Sequence, residues 1–320
     1  MLKLNNVTVS YKQKQSFSFK EKKLIAVDLV NLQIEKGQIL GLVGESGCGK
    51  STLGRLILSL VEKESGSVQF DGKDLQNLTH DERFALKKQI QVIFQDPYSS
   101  LNPRFTIEEI VTEGLSIHFP KLTREERLEK AKKALIEVNL PPDILNRYPH
   151  EFSGGQRQRI AIARALILEP SLVVCDEAVS ALDISTQAQV VNNLLELRDK
   201  FGLSYLFISH DLNIVKHVSD RIAVMYLGKI VEEGSKSEIS KNPRHPYTKS
   251  LFSASFDLKE RDKKSVALKG EIPSILNKPS GCFFHTRCPY AKDICMTQSP
   301  EEKTTSSGHR HSCHFPLEST

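Results

Sequence analysis

The stretch GESGCGKST (Gly44–Thr52) decides how this chain is read. It fits G-x-x-x-x-G-K-[ST], follows the apolar run QILGLV and precedes the helical pattern TLGRLILSLV, so it sits in a strand–loop–helix context. Each residue type has a chemical reason. Gly44, Gly47 and Gly49 let backbone N–H groups turn inward around phosphate oxygens, and the following helix aims its N-terminus at the anion. Lys50 offers a cation to the β- and γ-phosphates, and the Ser51 hydroxyl is an Mg²⁺ ligand. Glu45, Ser46, Cys48 and Thr52 complete the loop. A chance Gly-rich turn would not carry the strand and the helix on its two sides.

Downstream, SLVVCDE (Ser171–Glu177) is an apolar run ending in two carboxylates, as a buried parallel strand would. Asp176 suits the acid that holds Mg²⁺, and Glu177 the base for an attacking water. The N-terminal LKLNNVTVSY alternates as a strand, Lys12–Lys23 reads as an exposed basic loop, and Lys36–Gly37 and Asp71–Gly72 read as turns. From about Gln95 to Leu168 the pattern is helical. Thr123 and Glu126 there form a capping-box pair before a face of Leu128, Ala131, Ala134, Leu135 and Val138. A helix stopped at Gly202, the strand LSYLFISH and the hairpin DRIAVMYLGKIVEEG complete an alternation that means α/β.

Composition narrows the class. With 320 residues, the chain has room for a large α/β domain and an appendage. A net charge of +5 is too weak to argue for nucleic acid. The N-terminus lacks a signal-peptide pattern, and no run approaches the ~18 apolar residues that span a bilayer. The expectation is a cytosolic protein with reduced thiols, whose membrane-spanning parts would come from other chains.

EFSGGQRQRIAIARAL (Glu151–Leu166) resembles the signature of the ATP-binding cassette (ABC) family, with Phe152 where that family usually has Leu. Other family elements follow in order. Gln95 in VIFQDP matches the glutamine that senses Mg²⁺ and water, Asp183 closes SALD after the catalytic glutamate, and His210 matches the histidine on the γ-phosphate. Tyr11 stands where the family stacks an aromatic on adenine, with Phe17 and Phe19 as rivals. The resemblance covers roughly residues 1–245. It implies a P-loop NTPase cassette, with a RecA-like core, an antiparallel β subdomain and a helical subdomain at about 96–165. It also implies that Ser153, Gly154, Gly155 and Gln156 of one subunit close over ATP held by another. Only about 55 residues separate Gln95 from the signature, and no heptad run is visible, which argues against the coiled-coil repair members. A lone cassette argues against the paired cassettes of translation factors. That leaves the detached ATPase of a transporter, peripheral on the cytoplasmic face of the membrane, with Tyr98, Leu101 and Phe105 as candidate permease contacts.

After about Pro243 the texture changes, with a boundary at 240–255. HPYT (His245–Thr248) and GEIPSILNKPSGCFFHTRCPYAKDIC…GHRHSCHF resemble the oligopeptide/dipeptide/nickel importer subfamily, closest to its F-type ATPase subunit. Residues 246–320 are thus expected to form its Cys-bearing extension. The resemblance implies a heterodimer with a second ABC ATPase subunit, two permeases and a solute-binding protein, and no nucleic acid. Peptide import is the reading; nickel or metallophore import is the alternative, and a soluble cassette acting on nucleic acid or the ribosome a more distant one.

Cys282, Cys288, Cys295 and Cys313 are spaced C-x5-C-x6-C-x17-C, without the C-x-x-C of a zinc ribbon. A reducing compartment disfavours disulfides. Four thiolates suit a [4Fe–4S] cluster, the choice the subfamily resemblance tips, or Zn²⁺ as the alternative. His285, His309, His311 and His314 are possible substitute ligands. Cys48 and Cys175 are assigned to packing in the nucleotide core.

Overall fold

The alternation in LKLNNVTVSY slips phase: Leu2 and Leu4 are apolar on even positions, Val7 and Val9 on odd ones. A regular strand cannot bury both pairs on one face, because successive side chains point to opposite sides. The computed structural model resolves this with a bulge. The strand Leu2–Gln15 pairs antiparallel with Ser65–Phe70, and its register shifts between Asn5 and Thr8. Asn6 adopts φ 46°, a left-handed conformation that Asn tolerates, and its N–H donates to Asn31 Oδ1 at 2.8 Å. All four apolar residues are then buried. Gly66 lies against the bulge, where a Cβ would come within 2.4 Å of the Asn6 carbonyl oxygen.

Residues 1–15, 18–253, 271 and 273–318 are described, with 13–15 and 18–22 by backbone alone. They fall into two units. The first comprises Met1–Gln33, Leu40–Gly72 and His210–Thr320. Its antiparallel sheet runs Ser18–Ile34, Leu2–Gln15, Ser65–Phe70. The expected loop at Lys12–Lys23 is thereby corrected, since strands occupy Lys12–Gln15 and Ser18–Lys23. Strand pairing is made by backbone groups, so a polar stretch without apolar periodicity can still extend a hairpin.

A second set of strands in this unit positions the phosphate loop. Ile39–Val43 runs parallel to Arg221–Tyr226, from Leu40 opposite Arg221 to Val43 opposite Val224. Arg221–Tyr226 then pairs antiparallel with Lys229–Ser235, as the hairpin reading expected. Their turn places Leu227 at φ 44° and Gly228 at φ 92°, the positive angles that match the twist of a tight hairpin. The short strands Arg310–His311 and Lys303–Thr304 add to the outer edge of Lys229–Ser235. The C-terminal extension therefore continues the sheet of this unit.

The second unit comprises Ile34–Ile39 and Lys73–Ser209. Its parallel strands Ile90–Ile93, Leu172–Asp176 and Ser204–Ile208 lie side by side in that order, and Val173, Val174, Leu206 and Ile208 are wholly buried. Helix Ile184–Phe201 ends at Gly202, φ 65°, as the sequence pattern predicts. A helical group follows the first strand: Pro97–Ser100, Ile107–His118, Arg124–Glu137 and Gly154–Leu166. Capping boxes open the last three at Thr106, Thr123 and Ser153. Ala131, Ala134, Leu135 and Val138 are buried, and Leu128 is half-buried, as the periodicity indicated. Among the described residues, no helix is long and apolar enough to cross a membrane.

Candidate nucleotide site

The loop Gly44–Gly49 leaves its strand after Val43 and enters the helix Lys50–Ile57. Gly49 stands at φ 111°, and a Cβ there would meet the Ala26 carbonyl oxygen at 2.3 Å. No residue with a side chain fits that turn. Lys50 is buried, and its Nζ donates to the carbonyl oxygens of Gly44 at 2.7 Å and Glu45 at 3.0 Å. The ammonium is thus held over the loop whose amides would face phosphate. First-turn N–H groups of a helix have no acceptor within it, so helix Lys50–Ile57 presents donors on the same side. Cys48 packs as a buried small hydrophobe, its thiol pKa raised by that burial, in agreement with the packing role expected for it. Cys175 is likewise fully buried and its thiol pushed up.

The loop is anchored from three directions inside its own unit. The Gly228 N–H donates to the Cys48 carbonyl at 2.8 Å, and the Asp28 N–H to the Gly228 carbonyl at 2.9 Å. The Glu45 N–H donates to the hydroxyl of buried Tyr247 at 3.0 Å. Finally, Arg287 grips the Glu45 carboxylate with both terminal nitrogens, at 2.7 and 2.9 Å. That bidentate pair raises the Arg287 pKa, the Glu45 hydrogen bond being the first cause. Tyr247 of HPYT and Arg287 of HTRC hold the loop without any motif in the sequence that assigns them to it. No local signal ties residue 287 to residue 45.

In the second unit, Ile93 is opposite Cys175, and Asp176 is opposite Ile208. Gln95 and the Asp176–Glu177 pair therefore leave neighbouring parallel strands at the same end. That end of an open α/β sheet is where ligands bind. Glu177 takes φ 52°, and its N–H donates to the Ile208 carbonyl at 2.9 Å. A non-glycine residue in the left-handed region costs on the order of 1–3 kcal/mol, and such positions cluster at functional sites.

The signature also lies in this second unit. Ser153 caps helix Gly154–Leu166, accepting from the Gln156 N–H at 3.4 Å, while Gln156 Oε1 accepts from the Ser153 N–H at 3.0 Å. A Cβ on Gly155 would approach Thr186 Cγ2 at 2.2 Å, so glycine is required for the helix end to pack on the segment after SALD. Asp183 caps that segment, accepting from the Thr186 N–H at 3.0 Å and the Thr186 hydroxyl at 2.7 Å. The Thr186 hydroxyl bond leads in pulling the Asp183 pKa down to about 2. Phe152, in the variant first position, is buried beneath the Arg147 guanidinium, 4.8 Å from its ring centre. The Arg157 guanidinium lies 4.0 Å over the exposed Tyr98 ring.

Tyr11 is partly exposed on its strand, and His210 is exposed two residues beyond Ile208. Phe17 and the Phe19 side chain lie outside the described residues.

The four C-terminal cysteines, all in the first unit, line one narrow cavity of about 10 Å³ together with His285 and His314. The Cys282 N–H donates to the Cys295 carbonyl at 2.8 Å, and Gly281 at φ 63° permits that approach. Cys288 follows a single helical turn, His285–Arg287, and Cys313 follows the strand Arg310–His311. Burial pushes up the thiols of Cys282, Cys288 and Cys313, the last to about 12. All four are free of disulfides. Among the described residues, no group of three or more His, Cys, Asp or Glu side chains converges closely enough to hold a metal ion. His309 and His311 do not line the cavity; His309 instead pairs with buried Glu232.

Comparison with known proteins agrees with this arrangement. Residues 27–180 match the ABC transporter family, and residues 231–295 match the oligopeptide/dipeptide transporter C-terminal region. The oligopeptide transport ATP-binding protein AppF of Bacillus subtilis is 51% identical over 294 residues, covering 91% of this chain and 89% of its own. OppF of Salmonella typhimurium is 55% identical over 291 residues, covering 90% and 87%. Among solved structures, a dimeric post-hydrolysis state of the ATP-binding cassette MJ0796 bound to ADP and Pi aligns with a TM-score of 0.65. It is 31% identical and covers 74% of this chain and 99% of its own. The chain belongs to the ABC transporter family of ATP-hydrolysing cassettes, in the branch that carries the oligopeptide/dipeptide transporter C-terminal region.

Proposed function

We propose that this chain is the subunit that energises import of oligopeptides through a membrane permease, by hydrolysing ATP between paired cassettes. The observation that carries the peptide reading is the C-terminal region at 231–295, shared with a family described as oligopeptide/dipeptide transporters. The names of the OppF and AppF relatives support it. The domain division that goes with it is a nucleotide-binding domain over 1–245, with a helical subdomain at about 96–165, and an extension over 246–320.

In this reading, the loop amides of Gly44–Thr52 and the Lys50 ammonium hold the phosphates, and Tyr11 stacks on adenine. Ser51, Gln95 and Asp176 offer hydroxyl, amide and carboxylate oxygens, a hard donor set suited to Mg²⁺. When bound there, Mg²⁺ neutralises charge on the β- and γ-phosphates. Glu177 takes a proton from the attacking water, and His210 steadies the γ-phosphate. Ser153–Gln156 and Asp183 of a partner cassette close the site, the capped helix end supplying N–H donors to the phosphate. The partner is a homologous second ATPase subunit. Two permeases and an extracytoplasmic solute-binding protein complete the assembly, with this chain peripheral on the cytoplasmic face of the membrane. Binding two cassettes through ATP, and releasing them on hydrolysis, supplies two states that a permease can follow.

Cys282, Cys288, Cys295 and Cys313 line one cavity, and a metal held there would require their thiols to draw closer together than the described structure places them. A [4Fe–4S] cluster is the reading and a single Zn²⁺ its alternative. Either would ligate thiolates in place of the buried thiols and fix the fold of the extension. Protein purified without oxygen should carry either visible absorbance bleached by dithionite or one zinc per chain. A colourless protein free of both metals would remove the metal from the reading.

Deleting this subunit from cells should abolish uptake of a labelled oligopeptide, restored by the intact chain but not by Lys50→Ala. Peptide uptake that persists while nickel uptake is lost would instead select the nickel alternative.

A further inference from the structure

Glu45 brings a like charge close to a bound triphosphate. It lies within the phosphate loop, and its negative charge would oppose the anion that the loop amides and Lys50 attract. The described structure answers that charge from the C-terminal extension. Arg287 is buried and donates in parallel to both Glu45 oxygens, at 2.7 and 2.9 Å. The Glu45 backbone is held by a second residue of the same region, the Tyr247 hydroxyl, at 3.0 Å.

Both residues are rigidly mounted. Tyr247 is fully buried, with its ring 4.7 Å from that of Tyr226 and 5.4 Å from that of Phe284, and Tyr226 meets Phe284 edge-on at 5.4 Å. Arg287 belongs to the helical turn that follows Phe284, and its guanidinium lies 6.0 Å from the Tyr226 ring centre. Tyr226 in turn closes the strand beside the loop, and the hairpin turn after it donates to Cys48. The aromatic trio thus ties loop, hairpin and extension into one packed block within the first unit.

We infer that Arg287 and Tyr247 are positioning residues through which the C-terminal extension sets the charge and shape of the phosphate loop, and with them nucleotide affinity. The inference rests on the nucleotide reading of this loop. Without Arg287, the Glu45 carboxylate is left uncompensated beside the phosphates; without the Tyr247 hydroxyl, the loop loses one fixed amide. Neither residue takes part in bond breaking, so the effect falls on binding and KM more than on kcat.

The test measures binding of a fluorescent ATP analogue with Mg²⁺ to the full chain, and KM and kcat for ATP. Arg287→Ala should weaken binding about tenfold, the size expected from losing a charged hydrogen-bonded pair, with kcat changed by less than about threefold. Removing both charges in Glu45→Ala/Arg287→Ala should recover most of that loss, because no orphaned carboxylate remains. Arg287→Lys should keep part of the affinity, and Tyr247→Phe should weaken binding about threefold without a change in fold. The exposed Lys303→Ala is the control, with affinity unchanged. Equal affinity in wild type, Arg287→Ala and Tyr247→Phe, or a double variant weaker than Arg287→Ala, overturns the inference. Should Arg287→Ala fail to fold, Tyr247→Phe and Arg287→Lys decide it alone. A wild-type chain that binds no nucleotide would instead sink the site assignment itself.

Discussion

Glu177→Gln should lower ATP turnover by roughly 10²–10⁴-fold in the assembled transporter while leaving ATP binding intact. The side chains are nearly isosteric, and the backbone bonds that aim residue 177 involve its N–H and carbonyl. That backbone is set by the end of the strand Leu172–Asp176, by φ 52°, and by the N–H bond to the Ile208 carbonyl. The Glu177 carbonyl in turn accepts from the Ser180 N–H at 3.1 Å and the Ser180 hydroxyl at 2.9 Å. These backbone bonds do not require a carboxylate, and the exchange replaces the group proposed as proton acceptor with an amide. If hydrolysis stops while binding continues, cassettes should remain paired in ATP, which size-exclusion chromatography would resolve. Wild-type hydrolysis by the Gln variant would show that another group takes the proton.

Glu232→Ala should cost about 2–5 kcal/mol of folding stability, the range for leaving two or three buried donors without an acceptor. Glu232 is buried in the strand Lys229–Ser235. One oxygen accepts from the Arg244 N–H at 2.5 Å and pairs with His309 Nε2 at 2.7 Å; the other accepts from the His245 N–H at 2.9 Å. Alanine would leave two backbone N–H groups and an imidazole without an acceptor in a dry interior. Burial also depresses the His245 pKa to about 4, so that ring is neutral at pH 7 and brings no replacement charge. The neighbouring Glu233, paired with Arg221 and Arg310, would remain and limit the damage to the extension. Urea titration gives the stability, and limited proteolysis between the strand Lys229–Ser235 and Cys313 gives the location. A loss below about 1 kcal/mol would mean that the extension is held by its apolar contacts instead.

Much of this was legible because it is local. The phosphate loop announces itself by glycines and a lysine between a strand and a helix, and Thr123 with Glu126 marks a helix start within four residues. Strand ends such as Asp176 follow from a short apolar run. Other features depend on non-local geometry that spacing does not encode. Lys12–Gln15 and Ser18–Lys23 carry no periodicity, yet each extends a strand of the antiparallel sheet. The bulge at Asn6 was visible only as a slip from even to odd positions, and its partner Gly66 is sixty residues away. The requirement for Gly155 comes from Thr186, on another helix. The Arg287–Glu45 pair is the extreme case, linking residues 242 apart.

That separation also has a meaning in time. A ribosome adding about 5–20 residues per second makes Glu45 roughly 10–50 s before Arg287. Through that interval the nascent chain holds a phosphate loop whose acidic residue has no counter-charge. A polypeptide cut short by a stalled ribosome or a frameshift before Arg287 would carry every nucleotide motif, yet grip ATP poorly. On the proposed role of Arg287, such a fragment should bind an ATP analogue about tenfold more weakly than the chain that includes it. The order of synthesis thus separates the making of the loop from the making of the residue that neutralises it.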